Sequence, residues 1–197
     1  MPIKSFPVTM GRSGIQMIEK LNLRDHIWGI CNLNRFCGKG DRQVSIGVHS
    51  LHCFELARIW QPENTNLQLY ALLHDLPEGY YNDIPGFLKK TYGPEFKLVN
   101  DEIDEIMLSQ SGLPADVRIV NGDNLHRIDY NALTIEASYV FDKFEPYHWP
   151  PMDLYDEQDI LIELSALSVK SVYNEIISKL ETFGETNEVL RNTLYRA

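Results

Sequence analysis

Apolar residues in this chain recur at threes and fours over most of its length, a spacing that favours helices over strands. Ile46, His49, Cys53, Leu56 and Trp60 share one stripe, and between Leu67 and His74 the residues Leu69, Leu72 and Leu73 share another. Phe96 to Leu108 continues the pattern through Val99, Ile103, Ile106 and Met107, with acids on the opposite face. Val117 to Phe141 carries Val120, Leu125, Ile128, Ala132, Ile135 and Val140, as one long helix or two. Ile160 to Leu180 is expected to be a further helix, and Glu185 to Leu194 a short terminal one. Gly and Pro gather between these stretches, so Cys37-Gly-Lys-Gly, Ile84-Pro85-Gly86 and Tyr92-Gly93-Pro94 are expected to be loops. Glu145 to Asp153 is a non-helical connector packed by its own aromatics, either a rim over a pocket or a surface turn. Nothing recommends strands. The expected fold is an all-α helical bundle in a single domain.

At 197 residues the chain is long enough for a sizeable core. Its 44% hydrophobic and 23% charged residues exclude disorder as the main state. Eighteen basic against 28 acidic residues give a net charge of −10, which argues against a nucleic-acid polymer or an anionic membrane as principal partner. A small anionic ligand is compatible with that balance, because a few local cations hold it. Cys31, Cys37 and Cys53 are odd in number and form no C-x-x-C pair, which fits reduced thiols of a cytoplasmic protein. The opening Met1-Pro-Ile-Lys-Ser-Phe-Pro7 lacks the apolar run of a secretion signal. No segment approaches the ~20 apolar residues that span a bilayer. A soluble intracellular protein is expected.

The strongest chemical signal is Leu72-Leu73-His74-Asp75-Leu76-Pro77-Glu78. An HD dipeptide alone arises often by chance. Here a second His, His49, and an Asp, Asp129, stand among apolar neighbours on two other expected helices. Asp129 is flanked at helical spacing by Leu125, Ile128, Ala132 and Leu133, and burying a lone carboxylate costs several kcal/mol unless something compensates it. One divalent ion held by His49, His74, Asp75 and Asp129 would compensate: two neutral imidazoles and two carboxylates balance its charge. Imidazole ligands suit zinc, cobalt, iron or manganese better than calcium. Four protein ligands leave positions open for water and a substrate oxygen, as hydrolysis requires.

The order His…His-Asp…Asp, with Glu78 three residues past the HD pair, resembles the HD-domain phosphohydrolase superfamily. Asn34-Arg35-Phe36, Val48-His49-Ser50, the His74–Glu78 segment and Asn82-Asp83-Ile84-Pro85 through Lys89 resemble its 5′-deoxynucleotidase branch. Ile128-Asp129-Tyr130 through Glu136 is similar to a stretch of phage-type members, which include dATP triphosphohydrolases. The resemblance runs over roughly residues 24–140, the expected core of the metal site, with helices in 157–197 packed on it. Two departures stand out. Val48 occupies a place where the family has an acid or amide, and Ile27-Trp28-Gly29-Ile30 one where phage-type members carry a His.

Carried over by position, the resemblance implies the same four metal ligands and adds roles around them. Glu78 would orient or deprotonate the attacking water, and Asp83 would help protonate the leaving oxygen. Arg35 and Lys89 would hold phosphate oxygens, with Lys39, Arg42 and Lys90 as spare cations for a longer phosphate chain. Trp28 and Phe36 either stack on a nucleobase or pack in the core. His52 and His126, one turn from His49 and Asp129, are second partners of the centre or packed residues. His26 and His148 are expected at the surface, and Asp101-Glu102-x-Asp104-Glu105 as a solvated acidic face. Glu136 would brace the ligand helix, and Tyr80, Tyr81 and Tyr92 contact substrate or pack.

The implied activity is metal-dependent removal of phosphate from a deoxynucleotide. The favoured substrate is dATP, cleaved by a triphosphohydrolase using zinc, cobalt or manganese, or magnesium with the triphosphate. The alternatives are a 5′-deoxynucleotidase acting on monophosphates and a non-catalytic HD-fold nucleotide-binding regulator. A dinuclear oxygenase or alarmone hydrolase would need further ligand pairs. The expected setting is the cytoplasm, that of the host if the protein is phage-encoded. A homo-oligomer, at least a dimer, is also expected, with Leu161, Leu164 and Leu167 serving either its interface or the core.

Overall fold

Polar side chains start the helices where the sequence passes from loop to apolar stripe. Asn22, Ser45, Asn64 and Ser168 each accept a backbone N–H three residues on, occupying donors that a helix start leaves unpaired. The computed structural model describes residues 22–152 and 157–195, so the opening segment and Asp153 lie outside the described residues. Among the described residues there are ten α-helices: α1 (Leu23–Asn32), α2 (Ile46–Trp60), α3 (Thr65–Leu73), α4 (Glu78–Tyr81), α5 (Gly86–Tyr92), α6 (Pro94–Ser111), α7 (Val117–Val140), α8 (Gln158–Ser165), α9 (Val169–Gly184) and α10 (Glu188–Tyr195). They contain no strand; Asn34 and Ser45 form a single antiparallel bridge. The fold is an all-α helical bundle.

Helix α2 is its centre, packed against α1, α3, α7, α8 and α9. Most of its residues are buried, among them Ile46, Leu51, Leu56 and Ala57 at 0–1% exposure. Burial on every side explains why its apolar residues spill beyond one stripe. Gly47 allows α1 to come close, since a Cβ there would stand 2.8 Å from Cys31 Sγ. The loop from 34 to 45 is pinned twice: Arg35 N–H donates to Val44 O across its two ends, and Asp41 N–H, within it, to Val140 O at the end of α7. Gly40, at φ +112°, sits so close to α7 that a Cβ would overlap Val140 Cγ1. This clamp delivers Arg35 to the middle of the bundle.

The structure decides one open expectation and corrects several others. Val117–Val140 is one helix. The stretch 160–180 is two, because Ser168 caps a new helix after the turn that ends α8. Helices α1, α4 and α5 were not anticipated by the apolar pattern, the last two being too short to display a period. His26 is buried at 6% exposure, with Nδ1 bonded to Asn22 O and its ring against Tyr80, whereas His148 is exposed. Asp104 is half-buried against Arg118 at 3.0 Å, and burial pushes its carboxyl up to about 6; it is no part of a solvated face. Leu161 belongs to the core, Leu164 packs against it, and Leu167 is exposed.

Candidate metal centre

Three helices and one turn bring the polar centre together. His49 projects from the buried first half of α2. The HD pair follows the last residue of α3: His74 ends the helix with αR backbone, and the turn to α4 places Asp75 beside it and Glu78 one turn on. Asp129 comes from the middle of α7, where Leu125, Ile128 and Ala132 are buried while Asp129 itself keeps 31% side-chain exposure. It therefore sits at the edge of the apolar stripe, at the mouth of the centre.

His49, His74, Asp75 and Asp129 lie together in the bundle. His49 Nε2 lies 3.2 Å from Asp75 Oδ2 and 3.3 Å from Asp129 Oδ1. His74 Nε2 lies 3.5 Å from Asp75 Oδ1, and the two imidazole centroids are 5.3 Å apart. Donor atoms of His49, Cys53, His74 and Asp129 all fall within 4.8 Å of one another. Cys53 was not anticipated as a neighbour of this centre, although it stands one helical turn from His49. Its Sγ is 3.6 and 3.8 Å from the two ring nitrogens, and burial pushes its thiol up to about 11.

The donor set suits a cation. His74 Nδ1 is 2.9 Å from Ala71 O and His49 Nδ1 is 2.8 Å from Glu136 Oε1, so in each ring Nδ1 carries the proton. Each Nε2 is then the nitrogen that faces the carboxylate oxygens. Carboxylates gathered around these nitrogens repel one another unless positive charge stands between them, a proton on an imidazole or a bound cation. His74 Nε2 is buried and has no hydrogen-bond partner among the described residues. A metal-ligating imidazole characteristically donates its other N–H to a carbonyl or carboxylate, as both do here.

The charges respond as a unit. Burial and the Arg35 charge lower the His49 pKa, but Cys53, Glu136 and Asp129 outweigh them and hold it well above its ordinary value. Burial raises Asp75, yet His74, His49 and Arg35 hold it well below the usual carboxylate range. Asp129 is lowered too, the hydrogen bond and charge of His49 overcoming burial.

The expected substrate cations are distributed differently from one another. Arg35, 9% exposed, donates from Nη1 to Asp75 Oδ2 at 3.3 Å, and its Nε is 2.9 Å from Glu136 Oε2, an ionic contact off the line of a hydrogen bond. Lys89 Nζ pairs with Glu78 Oε1 at 2.7 Å, while Glu78 Oε2 is buried without a hydrogen-bond partner among the described residues. Burial and the Asp75 charge push Glu78 up to about 8, against the opposing pull of Lys89. Asp83 lies in the short loop before α5, where its charge acts on Lys89. Lys89 and Lys90 line a groove of about 420 Å³ with Lys97, Asn100, Phe96, Gly93 and Pro94.

Other expected contacts point elsewhere. Trp28 is 39% exposed and meets Tyr173 of α9 edge-on at 5.5 Å. Arg42 donates to Tyr139 O and pairs with Asp142, and Lys39 is exposed within the 34–45 loop. Phe36 is packed between Phe141 and Trp149, so the connector's Trp149 reaches back to the residue beside Arg35. Tyr81 donates to Asn100 and Tyr92 is exposed. His52 is fully buried, with Nδ1 3.2 Å from Glu136 Oε1, whereas His126 is exposed against Tyr130.

No family model matches the chain. Over 96 residues it is 30% identical to the uncharacterized protein YfdR of Escherichia coli (strain K12), covering 49% of this chain and 50% of that protein. The chain thus spans about half the length of the curated relative it matches. Among the described residues, no helix is long and apolar enough to cross a membrane.

Proposed function

We propose that this chain is an HD-type metal-dependent phosphohydrolase acting on deoxynucleotides, with a deoxynucleoside triphosphate such as dATP as its substrate. One observation carries the reading. Two imidazoles, His49 buried and His74 half-buried, have committed Nδ1 to other acceptors and turn Nε2 toward two carboxylates 3.2–3.5 Å away. The order of these residues along the chain, with Glu78 beside them, is the one that resembles the HD superfamily.

His49, His74, Asp75 and Asp129 would hold a divalent ion: zinc, cobalt or manganese, or magnesium with a triphosphate. When bound, that ion supplies Lewis-acid polarisation of a phosphoryl oxygen and neutralises the charge that develops on it. The protein's own groups do the rest. Glu78 Oε2 takes the proton of the attacking water as the new P–O bond forms. The bond from phosphorus to the 5′ oxygen breaks, and Asp83, from its loop beside Lys89, supplies the proton that oxygen gains. Lys89 holds the phosphate at the mouth of the centre, and Lys90, Lys97 and Asn100 extend polar contacts along the groove for the rest of the chain. Positioning and charge neutralisation contribute most of the rate.

The 5′-deoxynucleotidase alternative is favoured by a different observation. Arg35 is tied to Glu136 and Asp75, which leaves Lys89 as the cation nearest Glu78. A monophosphate needs no more than that. Deoxynucleoside mono-, di- and triphosphates, each incubated with manganese, cobalt, zinc or magnesium, separate the readings by product. Release of inorganic triphosphate from dATP supports the main reading, and release of phosphate from monophosphates alone supports the alternative. Nucleotide binding without turnover under every metal would overturn both in favour of a regulator.

A further inference from the structure

A fully buried carboxylate demands an explanation, because desolvation opposes it unless its partners are strong and well placed. Glu136, at 0% exposure, lies on α7 two turns from Asp129 and reaches across to α2. Its Oε1 takes His49 Nδ1 at 2.8 Å and His52 Nδ1 at 3.2 Å, and its Oε2 faces Arg35 Nε at 2.9 Å. The same guanidinium donates to Asp75 Oδ2 at 3.3 Å. Arg35 therefore joins the carboxylate behind His49 to the carboxylate in front of it. A single rigid fork touches both sides of the centre, a task that suits a planar guanidinium and not a single ammonium.

We propose that Arg35 and Glu136 are a buried pair of positioning residues for the metal centre, Glu136 holding His49 with Nε2 turned to the centre and Arg35 holding Glu136 and Asp75 in register. The inference rests on the metal-centre reading given above. It assigns Arg35 to the centre, in contrast to the phosphate-binding role that the sequence pattern suggests. The chain spends two loop clamps on delivering Arg35 there, the hydrogen bond to Val44 and the seating of Gly40 against Val140.

The test uses Glu136→Gln and Arg35→Lys in the full chain, with wild type and Glu55→Gln as references. Glu55 sits further along α2 and pairs with Lys179, so its variant reports the general cost of losing an ion pair from that helix. An amide at 136 accepts on one side only, and its NH₂ opposes a donor on the other. The Lys at 35 keeps a charge but reaches one carboxylate only. Zinc and cobalt affinities are measured by competition with a chelator, and the His49 imidazole nitrogens by ¹⁵N NMR of the metal-free protein. Both variants are expected to bind zinc about 10–100-fold more weakly than wild type, and Glu55→Gln within threefold of it. Glu136→Gln is also expected to shift the His49 Nδ1 signal, because a carboxylate acceptor is replaced by an amide. Arg35→Lys is expected to weaken metal affinity more than it raises KM for a nucleotide.

Unchanged metal affinity in Arg35→Lys together with a raised KM would overturn the proposal and return Arg35 to the substrate. Unchanged affinity and unchanged His49 signals in Glu136→Gln would overturn the role of Glu136. If Glu136→Gln fails to fold, Arg35→Lys decides. A wild type that binds neither metal removes the metal-centre reading itself, an outcome distinct from either of these.

Discussion

Helix α2 faces two different surroundings. Toward α3 and α7 its first half presents His49, His52 and Cys53 to carboxylates and a buried guanidinium. Toward α9 its second half presents Phe54 to the Phe183 ring at 6.1 Å and to Lys179 Nζ at 4.5 Å, with Glu55 paired to Lys179. The seam with α9 is held by ordinary means: Val172, Ile176 and Leu180 are buried at 0–2% exposure, and burying apolar surface contributes roughly 25 cal/mol per Å². The other side buries charge, which stabilises little and is strongly destabilising when one partner is lost. The contrast teaches that one helix can pack an ordinary apolar seam at one end and a buried polar cluster at the other, with few residues in common.

Substitutions on the two sides should therefore separate cleanly. Asp129→Ala should abolish metal retention and reduce hydrolysis by at least about 10³-fold, as expected for loss of a ligand and its charge. Metal content by mass spectrometry checks it, and full occupancy in the variant would break the contrast. Glu78→Ala should retain metal and lose about 10²–10⁴-fold in turnover, the usual range for a general base. Unchanged turnover would remove its role. Leu180→Ala, in the α9 seam, should cost about 2–5 kcal/mol in denaturant unfolding while leaving metal affinity unaltered. A shifted affinity would show that the two sides are coupled.

The smallest effect lies in the ion pairs of the seam. Burial raises Glu55, but Lys179 and Arg58 outweigh it and leave its pKa below the ordinary carboxylate value. A lowered folded-state pKa means stabilisation that is complete above the unfolded value and disappears as pH falls through the folded one. Glu55→Gln should thus cost about 1 kcal/mol at neutral pH and progressively less below about pH 4. A penalty that persists unchanged in acid would show that packing, and not charge, is what Glu55 contributes.

Much of the fold was legible beforehand because periodicity is a local property. The stripes in α2, α3, α6 and α7 follow directly from residues three and four apart, whereas α4 and α5 are each too short to show a period. The division between α8 and α9 was missed because Leu161, Leu164 and Leu167 continue the apolar rhythm while Ser168 interrupts it only by capping. In the candidate site, His49, His74, Asp75 and Asp129 were marked by polar groups among apolar neighbours. Asp104 was misread for the opposite reason: in a run of acids, nothing local distinguishes the one that turns inward to Arg118.

The residue pattern alone was enough to set the helical class and to mark the donor atoms, since both depend on which residue types recur at helical spacing. Which partners those donors found depended on how the helices packed. Arg35 met Asp75 and Glu136 because a loop seated on α7 carried it inward, and Cys53 came to lie beside the His49 ring through the turn of α2. Such contacts join groups distant along the chain or set a side chain's direction within a crowded interior. Hydrogen-bond and ion-pair geometry is decided there, at distances of about 3 Å that no spacing of residues encodes.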